Sequence, residues 1–213
     1  SGLPATLAAV QLGRAIALAN KESLVAAGAL VIPAARASGS RLLPVDSEHA
    51  AIWQCLQGLT SPASTANPLC PPCRVDSQVR RVILTASGGP FRTWNLQQAY
   101  DATPEQALKH PTWSMGAKVT IDSANLTNKA FEVLEAHWLF GLEPDRIGVL
   151  IHPQSIVHSL VEYADGSLIA QLGPPDMRSP IQYAFTFPAR PEGCARRLGL
   201  MSMAKLEFET PSH

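Results

Sequence analysis

This 213-residue sequence has no excess of either charge, because 17 basic and 17 acidic side chains leave a formal net charge of zero. Nucleic-acid-binding proteins normally show a basic excess, and binding to an anionic membrane surface needs a cluster of lysines and arginines. No apolar run is long enough to predict a transmembrane helix, and the first residues lack the features of a signal peptide. The sequence therefore predicts a cytoplasmic protein with no nucleic-acid or membrane partner.

Cysteine is also scarce, with four residues in the chain. Cys70 and Cys73 form a CPPC motif with the spacing of a redox pair or of half a zinc site, but zinc needs a second pair of ligands. The surrounding segment is rich in proline, serine and threonine, which predicts an exposed insertion rather than a thioredoxin-like site. We interpret the motif as a loop with two thiols; a regulatory disulfide is the alternative.

Apolar runs alternate with helical patterns in the first part of the chain. The run AIALA leads into the polar motif NKES, a helical pattern follows in LVAAGALVIPAARASG, and the run RLLPV ends in the acidic motif DSEH. This alternation predicts an α/β fold with parallel strands. Ligands of such folds gather at the carboxyl ends of the strands, which is where NKES and DSEH fall.

The rest of the chain is predicted to become richer in strands. An Asp-Gly turn between SIVHSLVEY and SLIAQLG predicts a β-hairpin, and the proline-rich tail after it predicts a linker or wrapping segment. The other expected elements are a strand in RRVILTAS, a helix in TPEQALKH, a loop in PTWSMGAK, a strand in KVTIDSA, a helix from Thr127 to Gly141 and a strand in GVLIHP.

Two carboxylates, Asp46 and Glu48, stand on either side of Ser47 in VDSEH. Residues two apart on an extended chain point the same way, so both carboxylates can face one cation. Magnesium and manganese prefer such oxygen ligands. The alternative is a pair of solvated charges that cap a helix beginning at His49.

The helix predicted after residue 126 carries polar residues of complementary charge near its start. Asn128 and Lys129 stand where free backbone N–H groups favour a phosphate. Glu132 lies one turn deeper, where it could meet a cation held by the carboxylates of VDSEH. An amphipathic helix with a hydrated charged face is the alternative. The apolar face is predicted from Phe131, Leu134 and Trp138.

Two glycine-containing loops are weaker candidates. SGGPF, from Ser87 to Phe91, lets backbone amides approach a phosphate, although Gly-Gly is also an ordinary turn. HPTWSMG, from His110 to Gly116, has the composition of a lid over a ligand; a packed surface loop is the alternative. His152 and His158 lie in predicted strands and are interpreted as packing or hydrogen-bonding residues.

Seven segments together resemble the 1-deoxy-D-xylulose 5-phosphate reductoisomerase family. They follow that family's order and cover nearly the whole chain, apart from the proline-rich stretch around Cys70. The segments are ALANKESLV, LLPVDSEHAAI, LTASGGPFR, KHPTWSMGAKVTIDSA, NKAFEVLEAHWLF, VLIHPQSIVHSLV and AQLGPPDMRSPI.

The resemblance implies a role for each matching residue. Asp46, Glu48 and Glu132 match the ligands of one Mn²⁺ or Mg²⁺, and with Lys21 they are the implied catalytic residues. The residues that match positions around the reacting part of the sugar are Lys21, Ser47, Glu48 and Glu132, and those that match the phosphate site are Ser87, Ser123, Asn128 and Lys129. The matches that also contact the substrate are His110 and the lid residue Trp113. The matches at NADPH are Met115, Asn20, Glu22 and Gly116.

The resemblance also implies a reaction, an assembly and a division into domains. NADPH and the metal would serve the isomerisation and reduction of 1-deoxy-D-xylulose 5-phosphate to 2-C-methyl-D-erythritol 4-phosphate, a step of non-mevalonate isoprenoid biosynthesis, in a homodimer. The expected domains are the end of a Rossmann-like NADPH-binding domain in 1–46, an α+β catalytic domain in 47–180, and a linker in 181–213 toward a helical domain.

One family feature is missing from the sequence, the glycine-rich phosphate loop of the nucleotide-binding domain. We therefore expect a fragment with weak NADPH affinity and little or no turnover; robust substrate-dependent NADPH oxidation by this chain would contradict that. Two alternatives lack the nicotinamide step. One is a metal-dependent phosphosugar aldolase or isomerase, and the other is a non-catalytic phosphosugar-binding module.

Overall fold

The computed structural model describes residues 2–58, 70–75, 77–203 and 205–211. Within these ranges, no helix is both long enough and apolar enough to cross a membrane. The helices are α1 (Leu3–Gln11), α2 (Glu22–Ser38), α3 (Ser47–Cys55), α4 (Leu96–Tyr100), α5 (Pro104–Ala107), α6 (Ala117–Ala124), α7 (Thr127–Phe140) and α8 (Arg178–Thr186). The strands are β1 (Ile16–Leu18), β2 (Leu42–Pro44), β3 (Val79–Ala86), β4 (Ile147–Ile151), β5 (Val157–Tyr163) and β6 (Leu168–Leu172).

The described strands form a parallel pair and a larger mixed sheet. β1 pairs with β2 in parallel, and the larger sheet has the order β4-β3-β5-β6. β3 runs parallel to β4 and antiparallel to β5, while β5 and β6 form the predicted hairpin. The α/β class is confirmed, and NKES and DSEH do follow the carboxyl ends of β1 and β2.

One apolar core joins the parallel pair to the larger sheet. It runs from Leu24 in α2 through Leu42 in β2 to Leu84 in β3. The ring of Trp53 in α3 is fully buried, with ring centroids 4.7 Å from Tyr183 and 4.4 Å from Phe187. The core therefore fixes α3, whose first residues carry the acidic motif, against both sheets.

Two segments differ from the expected secondary structure. KVTIDSA was predicted as a strand, which is wrong, because it forms α6. There Lys118 and Asp122 make an i,i+4 ion pair of 2.8 Å, and the buried residues Thr120 and Ala124 recur at helical spacing. The tail after β6 begins with α8 rather than with an irregular linker, and its Tyr183 packs in the core, so the expected boundary at 180–181 falls inside a helix.

The CPPC motif packs against the core instead of extending into solvent. The Pro71 carbonyl accepts a hydrogen bond from the Leu42 amide at 2.7 Å, and the Cys73 amide donates to Leu139 at 2.9 Å. Cys70 and Cys73 are half-buried free thiols, and burial raises the pKa of Cys73 to about 12. The exposed insertion was thus wrongly predicted for 70–75; its part in 59–69 lies outside the described residues.

Helix α2 packs closely on α7 at Gly28. A Cβ atom added to Gly28 would lie 2.3 Å from the nearest ring atom of Trp138. We therefore expect Gly28→Ala to destabilise the protein by about 1–3 kcal/mol, because the overpacking exceeds the gain in helix propensity. Urea unfolding measures the change. Gly116→Ala is the matched control, since its added Cβ meets nothing within 4 Å; equal stability of the two variants would contradict the expectation.

Candidate functional site

Three carboxylates converge near the carboxyl end of β2. Asp46 is the residue before α3, Glu48 lies in the first turn of α3, and Glu132 lies in α7. One oxygen from each lies within 4.8 Å of the other two. The segment Asp46–Glu48 is not extended as predicted, because α3 begins at Ser47. The Asp46 side chain also makes no capping hydrogen bond, so the alternative of a helix cap does not describe it.

Two lysines lie among these carboxylates. Lys21, just before α2, contacts Asp46 and donates to Glu132 Oε1 at 2.9 Å. Lys129 in α7 donates to Glu48 Oε1 at 2.6 Å and also contacts Glu132 and the Thr85 carbonyl. Three carboxylates thus face two ammonium groups, which leaves a negative excess suited to a cation.

Burial and charge shift the pKa values of this cluster. Burial opposes ionisation of Asp46, yet the charge of Lys21 holds the pKa of Asp46 below its usual range. Burial and repulsion from Glu132 raise the pKa of Glu48. For both lysines burial acts to lower the pKa, but the surrounding carboxylates outweigh it and raise the pKa of each. The ammonium groups are therefore held in the charged form.

The buried face of α7 carries charges, contrary to the predicted apolar face. Lys129, Glu132 and Glu135 are buried, whereas Leu134, which was predicted for the apolar face, is 44% exposed. Charged residues can face inward here because lysines and carboxylates from neighbouring elements compensate them. The alternative, a hydrated charged face, does not describe α7 for the same reason.

A small cavity adjoins the carboxylates. Its volume is about 50 Å³, and its lining includes Ser87, His110, Ser123 and Lys129, which the resemblance places at the phosphate or the substrate. Glu48 lines the same cavity, so the acidic cluster and the predicted phosphate-binding residues are contiguous. Asn128 instead contacts Lys21 at 3.1 Å and Glu132 at 2.5 Å.

The proton position on His110 follows from its contacts. Nδ1 accepts hydrogen bonds from the Thr112 and Trp113 amides at 3.1 and 2.9 Å, so the hydrogen of the neutral ring is on Nε2. Nε2 is 2.9 Å from Ser87 Oγ and donates to it. Burial lowers the pKa of His110, in keeping with the neutral ring. His110 therefore orients the Ser87 hydroxyl within the cavity.

Glycine is required where the SGGPF loop meets α6. A Cβ atom at Gly89 would lie 2.3 Å from the Ser123 carbonyl oxygen, and Gly89 has a φ of +69°. Both the close approach and the left-handed backbone exclude larger residues. Gly89 thereby lets the segment that carries Ser87 pack beside the end of α6 that carries Ser123.

The loop from 110 to 116 lies over the same region. Trp113 and Met115 line the small cavity, and the Trp113 ring centroid is 6.2 Å from that of His158. Near the end of β1, Asn20 donates to Glu22 at 2.7 Å. The structure links Glu22 to the loop through Lys118, which lies two residues beyond Gly116 and donates to Glu22 at 2.7 Å.

Comparisons with known proteins identify the family of this chain. The family model described as 1-deoxy-D-xylulose 5-phosphate reductoisomerase C-terminal domain matches residues 42–140. Two further models, DXP reductoisomerase C-terminal domain and 1-deoxy-D-xylulose 5-phosphate reductoisomerase, match residues 172–213 and 1–28. The chain belongs to the 1-deoxy-D-xylulose 5-phosphate reductoisomerase family.

Curated relatives named 1-deoxy-D-xylulose 5-phosphate reductoisomerase are similar along the whole chain. The protein of Bordetella petrii is 55% identical over 211 residues, which is 99% of this chain and 51% of that relative. The protein of Gloeobacter violaceus is 55% identical over 213 residues, which is 100% of this chain and 50% of that relative. The chain thus spans about half the length of the curated relatives it matches.

Solved structures of the reductoisomerase family share the fold. A DOX-P reductoisomerase in complex with NADPH, fosmidomycin and magnesium has a TM-score of 0.87 and 45% identity, over 99% of this chain and 50% of that one. The enzyme from Zymomonas mobilis in complex with NADPH has a TM-score of 0.84 and 46% identity, again over 99% of this chain and 50% of that one.

Two buried residues beside the carboxylate cluster were not identified from the sequence. His49 Nε2 lies 2.8 Å from the Glu132 carbonyl oxygen, and His49 Nδ1 lies 3.4 Å from Glu135 Oε2. Burial raises the pKa of Glu135 to about 7. The spacing of Glu132 and Glu135, three residues apart on one helix, was the signal that could have placed Glu135 beside the carboxylates.

Proposed function

We propose that this chain carries the catalytic centre of an enzyme that converts 1-deoxy-D-xylulose 5-phosphate to 2-C-methyl-D-erythritol 4-phosphate with NADPH and a divalent cation. The observation that carries the proposal is the contiguity of two features. The three-carboxylate cluster directly adjoins the cavity lined by Ser87, Ser123 and His110, and Lys129 belongs to both. A phosphosugar needs such a pair of neighbouring sites, one for its phosphate and one for its reacting oxygens.

The carboxylates fit a small divalent cation. Asp46, Glu48 and Glu132 offer only oxygen donors, which is the chemistry that Mg²⁺ and Mn²⁺ prefer. Glu132 is almost fully buried, so a hydrated monovalent ion is a poor match. When bound, the cation would supply Lewis-acid polarisation of the sugar's carbonyl and hydroxyl oxygens.

The chain's own residues would bind and orient the substrate. Lys129 and the hydroxyl groups of Ser87 and Ser123 would hold the phosphate, and His110 would keep the Ser87 hydroxyl oriented. Lys21 and Ser47 would contact the reacting part of the sugar. The charge of Lys21, placed between Asp46 and Glu132, would stabilise negative charge that develops there. Asn128 would assist by holding Lys21 and Glu132 in place.

The loop from 110 to 116 would exclude water from the sugar. Trp113 would cover the substrate, and Met115 would lie against the nicotinamide of NADPH. Asn20, Glu22 and Gly116, which the Lys118–Glu22 ion pair brings to one region, would contact the cofactor. NADPH would supply the hydride.

The division into domains, the oligomeric state and the cellular location are part of the same proposal. The segment 1–46 would contribute to an NADPH-binding domain, 47–180 would form the catalytic domain, and 181–213 would lead on from it through α8. The proposed homodimer and cytoplasmic location rest on the resemblance to the family.

Calorimetric titration of 1-deoxy-D-xylulose 5-phosphate into this chain tests the proposal. We expect binding that requires Mn²⁺ and that falls by at least about 10-fold for 1-deoxy-D-xylulose, which lacks the phosphate and its charge-assisted hydrogen bonds. Binding of equal strength without Mn²⁺ would contradict the role of the carboxylates. Equal binding of the two sugars would contradict the phosphate site.

A further inference from the structure

The pair formed by His49 and Glu135 has no task in the proposed reaction, yet it is the most deeply buried polar feature beside the carboxylates. The side chains of His49 and Glu135 are 0% and 1% exposed. Among the described residues, neither carboxylate oxygen of Glu135 has a hydrogen-bond partner, and His49 Nδ1 has none either. A buried carboxylate in this state costs stability, which indicates that it serves a function.

His49 connects two elements that carry the proposed metal ligands. It belongs to α3, and its Nε2 lies 2.8 Å from the backbone carbonyl oxygen of Glu132 in α7. A carbonyl oxygen only accepts, so Nε2 bears a hydrogen and donates it. The His49 ring also stacks on Phe140 with an interplanar angle of 9°. These two contacts fix the plane of the ring.

With the ring fixed in this way, Nδ1 faces two carboxylates. Glu135 Oε2 lies 3.4 Å away and Asp46 Oδ2 lies 4.0 Å away. One potential metal-ligating atom of each of the residues Asp46, His49 and Glu135 lies within 4.8 Å of the other two. His49 and Glu135 therefore form one closely packed buried pair, which ends against the carboxylate of Asp46.

We propose that His49 and Glu135 are positioning residues that hold the carboxylate of Asp46 and the backbone at Glu132 in the geometry needed to bind the cation. The inference rests on the proposed metal site and adds to it a supporting pair that touches neither substrate nor cation. Partners that orient metal ligands typically change metal affinity by about 10–100-fold when they are removed.

The test is a calorimetric titration of Mn²⁺ into the wild-type chain and into Glu135→Gln. A thermal melt of each protein is recorded in the absence of metal. We expect Glu135→Gln to bind Mn²⁺ about 10–100-fold more weakly. Its melting temperature without metal should be equal to or above that of wild type, because an unpartnered buried carboxylate has been removed. Glu143→Gln, which removes an exposed carboxylate just beyond α7, is the matched control and should bind like wild type.

A double-mutant cycle with His49→Gln adds a second readout. If the two residues act as one unit, the double variant should lose little more Mn²⁺ affinity than either single variant. Additive losses would overturn the pairing. Mn²⁺ affinity within twofold of wild type in Glu135→Gln, whatever its melting temperature, would overturn the positioning role while leaving the proposed function intact.

Two further results distinguish this inference from the proposed function. A second equivalent of Mn²⁺ in wild type that is lost in Glu135→Gln would overturn the positioning role, because the pair would then be a cation ligand. Failure of wild type to bind Mn²⁺ at all would overturn the proposed metal site, and this inference with it.

Discussion

The Glu132→Gln variant should bind Mn²⁺ at least about 100-fold more weakly than wild type, which exceeds the usual loss from removing an outer partner of a metal ligand. Glu132 is the most buried of the three carboxylates and contacts both Lys21 and Lys129. Glutamine keeps the shape but removes the charge that a cation needs. Without that charge, two carboxylates would face two ammonium groups, and the negative excess of the cluster would vanish.

Titration calorimetry with Mn²⁺ measures this effect directly. Glu105→Gln makes the same change of charge at an exposed position in α5 and should leave the affinity unchanged. Circular dichroism should establish that Glu132→Gln is folded at the temperature of the titration. A folded Glu132→Gln protein whose Mn²⁺ affinity is within threefold of wild type would remove Glu132 from the metal site.

The Lys129→Met variant should lose about 3–5 kcal/mol of folding stability in the absence of metal. Lys129 is buried and contacts the carboxylates of Glu48 and Glu132 as well as the Thr85 carbonyl. Methionine fills similar space but leaves the buried carboxylate of Glu132 and the partly buried carboxylate of Glu48 without their shared cation. Mn²⁺ should therefore raise the melting temperature of Lys129→Met by more than that of wild type, because it restores positive charge at the same place.

Urea unfolding and thermal melts with and without Mn²⁺ give both quantities. Lys118→Met is the control, since Lys118 forms ion pairs with Glu22 and Asp122 but its side chain is 58% exposed. Exposed pairs contribute about 0–1 kcal/mol, so Lys118→Met should be nearly neutral. If Lys129→Met were no more destabilised than Lys118→Met, the buried ion pairs of Lys129 would not support the fold as described.

Much of the fold could be predicted from the sequence because its signals are local. Apolar runs bounded by polar motifs gave β1 and β2, and the Asp-Gly turn gave the β5–β6 hairpin. The positions of NKES and DSEH followed from the general geometry of parallel strands. Segments such as α6 were wrongly predicted because an alternating pattern of short length fits both a strand and a helix, and tertiary contacts decide between them.

The candidate site was predictable where residues cluster in sequence or match family motifs, and less so elsewhere. The inward direction of Lys129, Glu132 and Glu135 could not be predicted from α7 alone, because hydrophobic periodicity assigns charged residues to the outside. Their burial depends on partners such as Lys21, which lies more than a hundred residues away in the chain. The His49–Glu135 contact has the same long-range origin.

The close approach of Gly28 and Trp138 sets the axial register of α7. Trp138 is six residues beyond Glu132, or about 9 Å along a helix. Sliding α7 along its axis would drive the indole into the backbone of α2. Lys129 and Glu132, which are proposed to bind phosphate and cation, lie on the same helix. The steric contact of Trp138 with α2 therefore determines the position of these two polar groups along the helix axis.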